Sequence, residues 1–188
     1  MCLPQTDLFA ADILPPTAYI LTHLDLYNWG PFGGRHCAEI DPKGTAIIGP
    51  TGSGKTTLVD ALMTLLTHQP RYNLASTGGH ESDRDLISYI RGVSGAGNNT
   101  GDNSHIARAG KTVTAVSARF SNGNNAIRIG ALFWIDGSSS AASDLKRLWL
   151  FSERDDQSLD NWLAIHHEGG ARELKQHAGD NPGLQAND

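Results

Sequence analysis

Residues 49–56 read Gly49-Pro50-Thr51-Gly52-Ser53-Gly54-Lys55-Thr56, which fits the phosphate-binding loop pattern G-x-x-x-x-G-K-[ST] at every constrained position. Glycines are needed in such a loop because the backbone must curl until successive N–H groups point at phosphate oxygens. The lysine then reaches the β- and γ-phosphates, and the hydroxyl of the next residue ligates Mg²⁺. A glycine turn that binds nothing has no need of a Lys-Thr pair at this spacing. The stretch therefore predicts a P-loop fold and a nucleotide site.

The residues on either side of the loop predict the strand and the helix that such a loop connects. Thr45-Ala46-Ile47-Ile48 is a short apolar run typical of a buried strand, and residues 57–66 have the apolar spacing of a helix, closed by Pro70. The helix N-terminus would add its positive dipole end to the phosphate site. We therefore expect ATP and Mg²⁺ as cofactors, with Thr56 as the Mg²⁺ ligand and Thr57 near the α-phosphate. The expected ATP-binding residues are Gly49, Pro50, Thr51, Gly52, Ser53, Gly54, Lys55, Thr56 and Thr57.

The composition favours a globular protein of the cytoplasm. The chain has 188 residues with 15 basic and 20 acidic side chains, a net charge of −5, so any contact with DNA must come from a local patch or a partner. Its two cysteines, Cys2 and Cys37, form no disulfide framework. No apolar stretch has the length of a membrane span. Residues 1–17 have the composition of a flexible leader rather than of a signal peptide.

Alternation of apolar and polar residues predicts several strands. One covers residues 21–29 and returns through a turn as residues 35–40, ahead of the loop. Residues 113–120 and 126–135 form a predicted antiparallel hairpin, and 145–151 is a third strand, although its apolar spacing also suits a helix.

The remaining segments are predicted as helices and loops. Residues 82–91 resemble a capped helix, and 92–110 is so rich in Gly and Asn that we expect a mobile loop. Two short helices are expected at 158–167 and 171–177. The tail beyond residue 179 has no periodicity.

Four segments together carry a family resemblance. They are Leu24-x-Leu26-Tyr27-Asn28-Trp29-Gly30-Pro31-Phe32, the loop with Thr57-Leu58-Val59-Asp60-Ala61-Leu62, Arg71-Tyr72-Asn73, and the helix Asp83–Gly92. In these segments the chain resembles the head of an SMC-type ATPase. The similarity is greatest to MukB-like, condensin-related ATPases, and especially to the ATP-binding subunit of Wadjet-type plasmid-defence systems.

The resemblance implies an ABC/SMC-like P-loop NTPase lobe of α/β class, with a parallel core and an antiparallel β-subdomain. The lobe would cover residues 18–151, the β-subdomain about 112–151, and residues 152–188 would be a helical or irregular segment leading to a coiled coil. In that family a distant C-terminal lobe of the same protein carries the signature and the Walker B carboxylates. Hydrolysis then needs that lobe and a second head, and the assembly acts on DNA with kleisin-like and accessory subunits, in the cytoplasm and on the nucleoid.

Several other residues are candidates for a functional site. Asp136 follows an apolar run as a Walker B aspartate would, but no glutamate follows it, and a turn is the better interpretation. Residues 93–97 superficially resemble an ABC signature, but no helix follows them. His166-His167 are interpreted as surface histidines, and the four tryptophans as packing residues, with Tyr27 or Trp29 as candidates for a base pocket. Four arginines are candidates to contact nucleotide phosphate or the DNA backbone, although a solvated surface residue is the favoured interpretation of each: Arg35, Arg71, Arg84 and Arg91.

Two alternatives remain open from the sequence. One is a free-standing small P-loop enzyme, such as a kinase or NTPase, in which Asp136 is a true metal ligand. The other is a non-catalytic ATP-binding module. The first predicts turnover by the chain alone, whereas the second predicts binding without turnover even with every partner present.

Overall fold

A six-stranded sheet with helices on both faces makes up the part of the chain that the computed structural model describes, residues 18–72, 85–93 and 106–188. The elements in chain order are β1 Ile20–Tyr27, β2 Arg35–Glu39, α1 Lys55–Leu66, α2 Leu86–Arg91, β3 Thr112–Ser121, β4 Ala126–Ile135, a 3₁₀ turn Ala142–Asp144, β5 Lys146–Ser152, α3 Leu159–Asp180 and β6 Leu184–Asn187. None of the helices in these ranges is long and apolar enough to cross a membrane.

The strands are ordered β2-β1-β3-β4-β5-β6, and every pairing is antiparallel. The predicted hairpin is confirmed as β3–β4, with Ser121 opposite Ala126 across the turn. The third strand is confirmed as β5, so the helical alternative for that segment is wrong. β1 pairs with β3, which joins the predicted β-subdomain to the first two strands in one continuous sheet. Among the described residues there is no parallel core.

Alternation along the strands gives the sheet two apolar faces. Leu26, Val116 and Phe133 lie on the face covered by α1 and α2. Leu132 and Leu148 lie on the opposite face, against α3. The site loop and its helix are therefore on one side of the sheet, and the C-terminal helix is on the other.

The buried strand predicted at residues 45–48 is wrong. This segment is not in a strand, and Ile47 and Ile48 are 45% and 89% exposed. An apolar run becomes a strand only when a neighbouring strand supplies hydrogen bonds to its backbone, and no described strand pairs with it. The segment instead leads into the loop as an exposed, irregular chain.

The helices follow local signals at their ends. α2 begins after Asp85, whose carboxylate accepts a hydrogen bond from the Ser88 backbone N–H, as an N-cap does; residues 82–84 of the predicted helix lie outside the described ranges. The two predicted C-terminal helices are both present, and they meet within α3 at a kink where Gly170 has φ 70°. β6 was not predicted.

Candidate functional site

The loop between the exposed segment and α1 has the shape its glycines require. Gly52 and Gly54 have φ values of 81° and 91°, in the left-handed region that glycine enters without strain. A Cβ on Gly49 would lie 2.7 Å from Ser53 Oγ, so a side chain there would crowd the curl of the loop. Residues 49–53 are exposed. The loop therefore opens to solvent and can receive a ligand.

Lys55 lies at the start of α1 and folds over the loop. Its Nζ donates hydrogen bonds to the Gly49 carbonyl at 2.7 Å and the Pro50 carbonyl at 2.8 Å. Gly54 caps the helix without a side-chain hydrogen bond, so the first backbone N–H groups of α1 have no side-chain acceptor at this end. A cation and a helix N-terminus thus converge on one exposed loop, an arrangement that favours an anion.

Residues of the turn after β1 contact the first turn of α1 and hold it in place. The indole N–H of Trp29 donates to the Thr57 carbonyl at 3.0 Å. A Cβ on Gly30 would lie 3.0 Å from Thr57 Cγ2, so glycine is needed for this close approach. Phe32 lies against Gly54, where an added Cβ would be 2.7 Å from the phenyl Cζ. The loop therefore rests on aromatic residues from the β1–β2 turn.

A second set of contacts holds the middle of α1. Tyr89 of α2 donates a hydrogen bond to the buried carboxylate of Asp60 and stacks on Trp29 at a centroid distance of 4.7 Å. Thr64 and Tyr72 are joined through their hydroxyls at 3.2 Å. Because these residues are buried, the helix behind the loop is held in one position.

Two residues predicted near the nucleotide base or phosphates are more buried than expected. Trp29 is fully buried under α1, so it is unavailable as an exposed wall of a base pocket. Thr57 is 4% exposed and packs at Gly30. Thr56 is half-buried at the start of the helix, beside the exposed loop.

The predicted arginines have different surroundings. Arg35 donates to Asp25 at 2.8 Å and to Asp160 at 2.7 Å, so a phosphate would have to compete with two carboxylates. Arg71 is exposed, and Arg84 lies outside the described residues. The interpretation of Arg91 as a surface contact is wrong, because the residue is 1% exposed.

Arg91 and Arg108 bind backbone carbonyls instead of ligands. Arg91 donates to the carbonyls of Arg108 and Gly110 through Nη1 and to those of Gly137 and Ser139 through Nη2. Burial lowers the pKa of its guanidinium. Arg108 donates to three carbonyls near the end of α2. Of the predicted mobile loop, residues 94–105 lie outside the described ranges, but both flanking ends are anchored.

The remaining candidates have structural explanations. Asp136 directly follows β4, lies in a bend and pairs with Lys146 at 2.6 Å on the surface, as expected from the turn interpretation. His167 is exposed, but the prediction of a surface residue is wrong for His166, which is 9% exposed and lies against Trp134. The described part of the chain contains no cluster of His, Cys, Asp and Glu that could hold a metal ion.

A buried carboxylate that was not predicted from the sequence lies on the α3 side of the sheet. Asp25 is 2% exposed and receives hydrogen bonds from Arg35, Arg128 and Ser117. Burial raises its pKa, but the hydrogen bonds from Arg35, Cys37 and Arg128 outweigh burial and hold the pKa below its ordinary value. Burial, followed by the hydrogen bond with Asp25, raises the pKa of the Cys37 thiol to about 11. Alternation placed Asp25 on a strand, but no local pattern showed its partners.

One comparison with known proteins bears on this site. Residues 21–79, about a third of the chain, match the family model described as the P-loop containing region of an AAA domain. The matched region includes β1, β2, the loop and α1. No curated protein matches the chain. The match supports assignment to the P-loop NTPases and a nucleotide-binding function.

Proposed function

We propose that this chain is the ATP-binding N-terminal part of an SMC-like ATPase head that acts on DNA in chromosome or plasmid maintenance or in plasmid defence. The observation that carries the proposal is the exposed glycine loop with Lys55 folded over it at the start of α1. The loop backbone and Lys55 would hold the phosphates, and the Thr56 hydroxyl would ligate Mg²⁺. Bound Mg²⁺ would supply charge neutralisation at the β- and γ-phosphates.

Exposed apolar residues on both sides of the loop support a head completed by another lobe. Ile47 and Ile48 precede the loop, and Val59 and Leu66 lie exposed on α1 at 49% and 53%. A surface that another protein segment covers often carries exposed apolar side chains of this kind. We propose that strands of a C-terminal lobe pair with residues 45–48 and form the parallel core there. The further partners would be a second head, kleisin-like and accessory subunits, and DNA through the assembled complex.

Calorimetry with MgATP tests the binding part of this proposal. The wild-type chain is expected to bind, and Lys55→Ala is expected to weaken binding by tenfold or more, on the order of one charge-assisted contact. Lys43→Ala is the matched control, because Lys43 is also an exposed lysine and its side chain forms no hydrogen bond in the described structure. Equal affinities of the Lys55→Ala and wild-type chains would contradict the assignment of the loop.

A phosphate-release assay tests the need for a second lobe. The chain alone is expected to release no phosphate, because Asp136 is paired with Lys146 and the described residues contain no His, Cys, Asp and Glu cluster that could hold a metal ion. Addition of the C-terminal lobe should produce turnover. Ile48→Asp should prevent that complementation without changing the stability of the chain alone, since Ile48 is 89% exposed. Robust turnover by the chain alone, lost in both Asp136→Asn and Lys55→Ala, would favour the free-standing enzyme.

A further inference from the structure

A cavity lies on the face of the sheet opposite the loop. It has a volume of about 890 Å³ and opens between the end of β1, the start of β3 and the first half of α3. Tyr27, Val113 and Leu163 provide apolar walls, and the polar lining residues include Arg35, Arg108, Lys111 and His166. The loop and α1 lie on the other side of the sheet. This cavity, which we call the α3 cavity, is therefore separate from the nucleotide loop.

The α3 cavity has more positive than negative charge in a chain whose net charge is −5. Arg35, Arg108 and Lys111 line it against a single carboxylate, Asp160, which pairs with Arg35 at 2.7 Å. Arg35 is thus neutralised by its own neighbours. The excess positive charge comes from Arg108 and Lys111.

Neither of these two cations is paired within the described structure. Arg108 uses Nε and Nη2 on the carbonyls of Ile90, Gly30 and Tyr89, so its Nη1 retains two N–H groups without an acceptor there. Lys111 is exposed and its side chain forms no hydrogen bond or salt bridge with a described residue, although it lies near enough to Asp136 to help lower the pKa of that carboxyl group. A fixed guanidinium and a flexible ammonium at one cavity form a common arrangement for binding oxyanions.

The third polar group is buried and lacks a partner. His166 is 9% exposed, lines the cavity, and has an Nε2 atom without any hydrogen-bond partner in the described structure. An unsatisfied buried polar atom is uncommon in folded proteins and usually has a functional or solvent-related explanation. His166 lines the same cavity as Arg108 and Lys111.

We propose that the α3 cavity is a second anion site that binds a phosphate group, held by Arg108 Nη1 and Lys111, with the apolar wall accepting the body of the ligand. The phosphate has two chemical sources, a free nucleotide or the phosphodiester backbone of a nucleic acid. The site is independent of the P-loop, so its existence does not rest on the proposed ATPase function.

The test is an NMR titration of the His166 ring signals in the full chain carrying Lys55→Ala, a substitution expected to weaken phosphate binding at the loop. Inorganic phosphate, AMP and a single-stranded oligonucleotide are added separately at constant pH, with chloride at equal ionic strength as the reference anion. At least one phosphate probe is expected to shift these signals in a saturable way. Lys111→Met should then weaken that binding on the order of tenfold, whereas Lys43→Met should leave it unchanged.

The outcomes separate the two sources and can overturn the site. Saturation by AMP assigns the phosphate to a free nucleotide, and saturation by the oligonucleotide with AMP silent assigns it to a nucleic-acid backbone. The proposal is overturned if all three probes leave the His166 signals unchanged. It is also overturned if the Lys111→Met and Lys43→Met variants bind equally well.

Discussion

Replacement of Arg91 by methionine removes the group that ties the end of α2 to two turns on either side of the β3–β4 hairpin. In the folded chain its Nη1 donates to the Arg108 carbonyl at 2.9 Å, and its Nη2 donates to the Gly137 carbonyl at 2.7 Å, with further bonds to Gly110 and Ser139. Methionine keeps an unbranched apolar stem but donates none of these bonds. The substitution therefore tests a structural role against the ligand contact predicted from the sequence.

The expected cost is set by two opposing effects. A hydrogen bond to a charged group contributes about 1.5–3 kcal/mol, and four are lost. However, Gly110 and Gly137 are exposed, so their carbonyls can bind water in the variant, and the desolvation cost of a buried cation disappears. We expect a net loss of about 3 kcal/mol in the free energy of unfolding. For a chain of this length that corresponds to a fall in Tm of about 6–12 °C.

Urea unfolding followed by tryptophan fluorescence measures this loss. Arg147→Met is the matched control, because the Arg147 side chain is exposed and forms no hydrogen bond or ion pair in the described structure, and this substitution should change stability by less than about 0.5 kcal/mol. Arg91→Lys keeps the charge, but one ammonium cannot replace a planar fork that reaches two turns, so most of the loss should remain. A loss below about 1 kcal/mol in Arg91→Met, or full rescue by lysine, would refute the structural role.

Three further predictions follow from the sheet and its polar residues. Because the pKa of Cys37 is about 11 instead of 9.0, iodoacetamide at pH 8 should modify it about a hundred times more slowly than an ordinary cysteine, and a rate equal to that of glutathione would contradict this. The pKa of Asp25 in the folded chain lies below its ordinary value of 3.8, so the ionised carboxylate should stabilise the fold above pH 3.8, and this stabilisation should be lost as the pH falls through the folded pKa. The urea midpoint of Asp25→Asn should therefore fall less on acidification than that of the wild-type chain. Gly130→Ala should cost about 1–3 kcal/mol, because the added Cβ would lie 2.5 Å from Trp162 Cζ3, whereas Gly137→Ala, with open space around it, should be neutral in the same urea experiment.

Local patterns predicted the parts of the fold that local forces determine. The loop and α1 could be placed because glycines, Lys55 and helical spacing occur within one short segment, and the β3–β4 hairpin could be placed because two alternating runs flank a polar turn. β6 could not be predicted, since its four residues, Leu184–Asn187, form a strand only by pairing with β5. The partners of Asp25 come from three other strands, so their proximity was not visible in any single stretch.

The wrong prediction of a buried strand at residues 45–48 also arose because pairing depends on segments distant in sequence. Hydrophobicity indicates that Ile47 and Ile48 favour burial, but burial needs a neighbour, and the described sheet leaves them 45% and 89% exposed. The error over Arg91 is the opposite case. A charged side chain in an exposed position is the usual expectation, yet four carbonyl oxygens from distant turns accept hydrogen bonds from the two terminal nitrogens of Arg91 in the interior. In both cases the neighbours that decide burial come from distant parts of the chain.

The turn after β1 explains why its sequence and the P-loop occur together in this chain. Asn28 has φ 52° and is held there by its side chain, which donates to the Val113 carbonyl and accepts from the Gly34 N–H. This conformation places Trp29 under Thr57 and Phe32 against Gly54, the two ends of the loop–helix junction. Because Asn28 hydrogen-bonds to Val113 of β3, a shift of the β3–β4 hairpin relative to α1 would change the position of this turn. The turn contacts the loop–helix junction through Trp29 and Phe32, so the loop would move with it. The residues of the turn after β1 thus position the loop, and the hydrogen bonds of Asn28 connect the sheet to the candidate nucleotide site.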